Sequence, residues 1–318
     1  MMKKALALTL MLLCLLLTGC SGSTVIYQEL TRPEDSEPAP APEASGGVWK
    51  TGLAILADTT GSASAALADY DVTVAAVLVD DEGVIRACVL DGAAAQLPFD
   101  ASGTVTGDIL QPPTMRREEN GVWLRRAEVL QRAAVGKTVG QLRGTGDWDA
   151  TLFAAVEKAV ANAQPLGAQE GDELRIAVLA DLSGSISAGE GTEGLARLDC
   201  DAAAVTLRQE TVTSCVIDSV QADVTFDAMG TITNELGPAV KTKTELGDAY
   251  GMKAYGGAKY EWYQQAAHFS AYAVGKTAAQ IMEIPTADGK PAQADLYATV
   301  TISITPFQHL IARACDPA

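Results

Sequence analysis

Apolar side chains recur at two different periods along this chain, and the period separates its elements. Short apolar runs at residues 176–180, 201–207 and 212–217 predict strands, the last two flanking Arg208-Gln209-Glu210-Thr211 as a β-hairpin. Further short strands are predicted at 222–226 and 231–232 around a turn at 227–230, and another at 298–304. Residues 261–273 place Trp262, Ala266, Phe269 and Ala273 at helical spacing, and Gly275 is suited to the left-handed residue that closes a helix. Thr305-Pro306, a capping residue followed by proline, predicts a last helix running to about Arg313.

The same order occurs twice. Residues 52–62 align with 175–185, residues 99–105 with 226–232, and 123–138 with 262–277 without a gap. A weaker fourth match sets Thr151, Phe153 and Val156 against Thr305, Phe307 and Leu310. The body therefore reads as α+β, two tandem copies of a mostly antiparallel sheet with packed helices, at 47–164 and 172–318, joined around Pro165-Leu166-Gly167. The second copy is the fuller one. It has residues 241–257 where the first has the shorter 112–120, and a predicted strand at 298–304 where the first has Gly144-Thr145-Gly146-Asp147. A ligand site is accordingly expected in the second copy.

Ahead of the repeats, Lys3 and Lys4 precede an apolar run at 5–17 that only Thr9 interrupts. That run is too short for a stable bilayer-spanning helix of about 20 residues and has the layout of a secretory signal. It ends in Leu17-Thr18-Gly19-Cys20, which resembles the bacterial lipoprotein box. The resemblance implies that residues 1–19 are removed, that Cys20 is lipidated, and that the chain is anchored at the extracytoplasmic face of the cell membrane. Residues 20–46 hold Pro33, Pro38, Pro40 and Pro42 among Glu34, Asp35, Glu37 and Glu43, and are predicted to form an acidic stalk.

Charge narrows the partners. The 318 residues include 40 acidic and 23 basic side chains, a net charge of −17. Loss of residues 1–19 removes two lysines and no acid, so the mature chain stands at −19. Such a body repels a phosphate backbone, which excludes nucleic acid as a partner. The six cysteines include no C-x-x-C pair, against a zinc knuckle or a thioredoxin-type site. Beyond Cys14 and Cys20 there remain Cys88, Cys200, Cys215 and Cys315; Cys88 and Cys215 are equivalent in the repeat, and a bridge between Cys200 and Cys215 on neighbouring strands is one pairing open to the chain. His268 and His309 align with Val129 and Ala155, so packing or surface exposure is expected of them, and no Ser/His/Asp or Cys/His arrangement is evident.

Two motifs point to ligands. Asp181-Leu182-Ser183-Gly184-Ser185 resembles the metal-ion-dependent adhesion site of von Willebrand factor A domains, and the resemblance implies Mg²⁺ held by Asp181, Ser183 and Ser185. In this chain residues 188–194 follow as a loop, where that family has a helix. The layout of the second copy resembles the FMN-binding domain of bacterial membrane electron-transport proteins. That resemblance implies a flavin site at Lys243, Glu245, Tyr250, Ser303 and Thr305, with the phosphate at the start of the last helix. The family's Gly-Ala pair is absent from 301–306. The second copy also resembles repeats of uncharacterised envelope lipoproteins of Gram-positive bacteria, across residues 241–253 and 274–304.

The expectation from these features is a lipid-anchored envelope lipoprotein that binds or scaffolds an envelope protein or cell-wall partner without catalysis. Flavin-dependent electron transfer through FMN is the alternative, and a divalent-metal adhesion module a second one.

Overall fold

The computed structural model describes residues 48–118 and 121–315. The expected signal sequence, Cys20 and the expected stalk lie outside them. In the first module β1 (Lys50–Asp58), β2 (Leu67–Val79) and β3 (Ile85–Pro98) form an antiparallel meander, extended by the two-residue β4 (Thr114–Met115). The helices α1 (Val122–Ala134), α2 (Val139–Arg143) and α3 (Ala150–Ala161) follow. The second module repeats the plan with β5 (Glu173–Asp181), β6 (Gly194–Arg208) and β7 (Thr211–Phe226). Next come two short helices, α4 (Lys243–Leu246) and α5 (Met252–Gly256), linked by a 3₁₀ turn at Gly247–Tyr250, then α6 (Trp262–Ala273) and α7 (Ala278–Met282). A small hairpin of β8 (Thr286–Ala287) and β9 (Lys290–Pro291), a turn of helix α8 (Ala294–Tyr297) and the last helix α9 (Thr305–Cys315) complete the chain.

The α+β class expected from the pattern is the class observed. The modules, however, are not separate beads. Their sheets pack face to face and share one core, in which Leu53, Ile55, Tyr70 and Val74 meet Ile176, Val178, Leu198 and Val220. The opposite faces are covered by α1 to α3 on the first sheet and by α6, α7 and α9 on the second. The result is a four-layer helix–sheet–sheet–helix body. Strands covered on both faces explain the unbroken apolar runs at 74–79 and 202–205, since neither face meets water there.

An approximate two-fold relation links the halves through paired contacts. Ala65 N–H donates to Gly230 O at 2.7 Å and the equivalent Ala188 N–H to Gly103 O at 2.8 Å. Val105 N–H donates to Ser187 Oγ at 2.9 Å, matched by Ile232 N–H to Ser64 Oγ at 3.0 Å. Lys158 of α3 pairs with Glu245 at 2.8 Å, and Arg313 of α9 pairs with Glu118 at 3.3 Å. Each ion pair crosses from one module to the other.

Three expectations need correction. The strand predicted at 222–226 is not separate, because β7 runs unbroken to Phe226. Residues 298–304 form no strand: the N–H groups of Thr301 and Ile302 donate to the side-chain oxygen of Gln265, at 2.8 and 3.2 Å, while Val300 and Ile304 fill the core beneath α6 and α9. The match of Thr151, Phe153 and Val156 to Thr305, Phe307 and Leu310 is one residue out of step. Burial places Leu152, Ala155, Val156 and Ala159 opposite Phe307, Leu310, Ile311 and Ala314, which makes Lys158 the counterpart of Arg313 and His309 that of Ala154.

Candidate functional site

Helices cover only part of the outer face of the second sheet, over Ala203, Val205, Cys215 and Ile217. Beyond them the face turns polar. On β6, Arg197, Asp199 and Asp201 alternate with the buried Ala196, Leu198 and Cys200, and on β7 Gln221 and Asp223 alternate with Val220, Ala222 and Val224. Strand register sets Asp181 opposite Asp199, Asp199 opposite Gln221, and Arg197 opposite Asp223. Arg197 holds Asp223 with two bonds of 2.7 and 2.6 Å.

Lys243 lies over this face because α4 starts beside it. Thr242 and Glu245 close that helix as a capping box, each side chain bonding the other's backbone N–H. Glu245 is tied in turn to Lys158 of the first module. Burial pushes the Glu245 carboxyl up, but Lys158 and the Thr242 N–H together hold it below the usual range. The Lys243 ammonium sits 5.6 Å from the ring centre of Tyr250 and 5.1 Å from that of Trp262. Burial lowers its pKa, against the pull of Asp201, Asp199 and Asp218. Burial also raises the carboxyls of Asp201 and Asp218, the latter despite the Thr244 hydroxyl at 2.7 Å. The Tyr250 hydroxyl donates to Gln221 at 3.1 Å and Gln221 donates to Asp199 at 2.8 Å, a chain that runs beside the Arg197–Asp223 pair.

The structure thus brings Lys243, Glu245 and Tyr250 to one place. Ser303 and Thr305 stand at the start of α9, beside the β8–β9 hairpin, where Ile304 N–H donates to Gly289 O at 2.8 Å. Among the described residues no hydrogen bond, ion pair or ring contact joins Ser303 or Thr305 to the other three.

Asp181 and Ser183 close the turn after β5: the carboxylate accepts the N–H of Ser183 at 2.9 Å and its hydroxyl as well. Ser185 turns away and bonds the backbone of Arg197, at 2.9 Å to N and 3.3 Å to O. Asp58, Thr60 and Ser62 repeat this arrangement in the first module, with Ser62 on the backbone of Asp69. Among the described residues no group of three His, Cys, Asp or Glu side chains is placed to hold a metal ion.

No protein-family model, curated protein or solved structure matches the chain.

The remaining chemistry-bearing side chains are dispersed. Cys88 and Cys215 are buried under the helices of their own modules, where burial pushes each thiol up to about 12. Cys200 points into the core between the sheets, on the opposite face from Cys215, so the pairing left open between them does not form and all four described cysteines are free. His268 packs edge-on against Tyr260 with ring centres 5.0 Å apart, and His309 is exposed on α9.

The sequence reading missed Asp199, Asp201, Asp218, Gln221 and Trp262. The first two were visible as polar residues at every second position of 197–201, the signature of a strand face that no helix covers. The structure also reveals a counterpart in the shorter module. Asp91 accepts the N–H of Arg117 as Asp218 accepts that of Thr244, which aligns Arg116 with Lys243. Arg116 reaches Asp71, the first-module counterpart of Asp199, at 2.6 Å.

Proposed function

We propose that this chain is a membrane-anchored extracytoplasmic lipoprotein whose body serves as a non-catalytic binding or scaffold protein. The observation that carries the reading is the state of the best-built polar site. Arg197 is taken up by Asp223, and Tyr250, Gln221 and Asp199 are bonded in a chain, with the Lys243 ammonium set against the rings of Tyr250 and Trp262, so these partners brace the sheet's open end. A general base or nucleophile would instead need a free partner toward a substrate. The anchor rests on Leu17-Thr18-Gly19-Cys20 and the charged, apolar run before it. Among the described residues no helix is long and apolar enough to cross a membrane, so in this reading the lipid supplies the attachment.

The test has two parts. Fatty-acid labelling and membrane fractionation of the full chain and of Cys20→Ser address the anchor: the label and the membrane fraction are both lost in the variant if the reading holds. A thermal-unfolding screen with FMN, riboflavin, Mg²⁺, Ca²⁺ and EDTA addresses the body. A ligand at a hundredfold excess over its dissociation constant stabilises the native state by about 2.7 kcal/mol. A flat response fits the scaffold reading. A shift with FMN that Lys243→Ala removes would replace it with flavin binding, and one with Mg²⁺ that Asp181→Ala removes would replace it with the metal-dependent adhesion module.

A further inference from the structure

The two seams between the sheets are related by the approximate two-fold but are built differently. At one seam, β1 meets α3 through Gly52. A Cβ added there would lie 2.0 Å from the carbonyl oxygen of Ala159, so only glycine lets the helix close on the strand. The equivalent position in the second module is Arg175, and the helix residue opposite it is Ala314. An arginine cannot be accommodated in that contact, and a cavity of about 600 Å³ opens between β3, β5 and the end of α9.

This cavity gathers arginines from three elements and both modules: Arg117 after β4, Arg175 on β5 and Arg313 on α9. The corresponding positions at the closed seam are Thr244, Gly52 and Lys158. In a chain of net charge −17 such a convergence of guanidinium groups is unusual. Arg313 has Glu118 at 3.3 Å and Arg175 has Glu173 at 2.8 Å, each using one terminal nitrogen, but the Nε of Arg175 is buried without any hydrogen-bond partner. Arg117 has no ion-pair or hydrogen-bond partner for its side chain among the described residues. Glu118, Glu173 and Asp91 also line the cavity; of these only Asp91 is buried, its carboxylate accepting the N–H groups of Gly92 and Arg117 and lying in the field of the Arg117 and Arg313 charges. A buried donor left unpaired costs more than a bond is worth, so the Arg175 Nε, beside an Arg117 guanidinium that makes no hydrogen bond of its own among the described residues, calls for an acceptor from outside.

We propose that the cavity is a binding site for a small polyanion bearing carboxylate or phosphate oxygens, held by Arg117, Arg175 and Arg313. The guanidinium fork matches either oxyanion geometry, and a cavity of this size takes a molecule with two or three anionic groups. The site is independent of the Lys243 network and of the membrane anchor.

The test is calorimetric titration of residues 41–318 with citrate and with pyrophosphate at constant ionic strength. The described residues of this segment hold all three apolar cores, the outermost members being Leu53 and Ala314, and form one compact unit. Saturable one-site binding of either anion is expected, with the dissociation constant raised roughly tenfold or more in Arg117→Gln, the loss of one charge-assisted bond. Among the described residues the Arg117 side chain makes no hydrogen bond or ion pair and only its charge acts on Asp91, so that variant keeps its fold; Arg175→Gln and Arg313→Gln are expected to behave alike. Arg143→Gln, whose partner is Glu157 on the other helical layer, keeps wild-type affinity. Preference for citrate identifies the ligand as a carboxylate and preference for pyrophosphate as a phosphate. Absence of saturable binding of both, or equal binding in the wild type and Arg117→Gln, overturns the proposal.

Discussion

Phe99 and Phe226, equivalent residues of the two modules, stack on each other with ring centres 4.1 Å apart and planes only 6° from parallel. Each follows or ends the last long strand of its module, so the stack lies on the approximate two-fold and clamps the two sheets at one end of their shared core. Both rings are fully buried. Phe99→Ala and Phe226→Ala are each expected to lower stability by about 3–5 kcal/mol, and the double variant to show a coupling of about 0.5–1.5 kcal/mol. Urea denaturation of the four proteins measures both. Full additivity would mean that the modules meet through their other contacts alone.

Gly52 is the position where the two seams part company. Gly52→Ala is expected to destabilise the body by about 1–3 kcal/mol, since the added methyl meets the Ala159 carbonyl rather than a flexible side-chain end. The change should leave anion binding at the opposite seam untouched. An unchanged unfolding midpoint would show that α3 can move off β1 at no cost.

The buried carboxyls set a pH dependence with a definite sign. Burial raises the pKa of Asp201 and Asp218 above the ordinary 3.8, so each holds its proton more tightly folded than unfolded. Their contribution is fully present below that value and is lost as pH rises through the folded one. Asp80 works oppositely: burial pushes it up, but the Val84 N–H and Arg86 together hold it low, and its contribution disappears as pH falls through its folded pKa. Asp201→Asn should therefore flatten the decline of stability as pH rises above about 4. A parallel decline in variant and wild type, read from denaturant midpoints, would rule Asp201 out as its source.

Thiol reactivity follows burial. Burial pushes all four thiols up, but Cys88, Cys200 and Cys215 are enclosed, whereas Cys315 at the end of α9 is half-buried and within reach of solvent. A chromogenic disulfide reagent should label one thiol of native residues 41–318 quickly and the other three only on unfolding. Fewer than four thiols in the unfolded, unreduced protein would mean that a bridge had formed.

The sequence by itself determined the α+β class, the helices at 262–273 and 305–313 and the equivalence of positions in the three clear repeat blocks, because these are encoded locally in apolar period and in repeated residues. Trp123 through Thr138 and Trp262 through Thr277 both became a helix, a closing glycine and a capped short helix. It misled at 298–304, where apolar alternation served core filling under two helices instead of strand pairing, since period alone does not say what the backbone N–H groups will bond. The placement of Lys243 over Asp199 and Asp201, the convergence of Arg117, Arg175 and Arg313, and the union of two sheets around one core came only with the tertiary structure. Residues far apart in the chain meet because each sheet has two apolar faces to bury. Its own helices cover one face, and only the other module can cover the second.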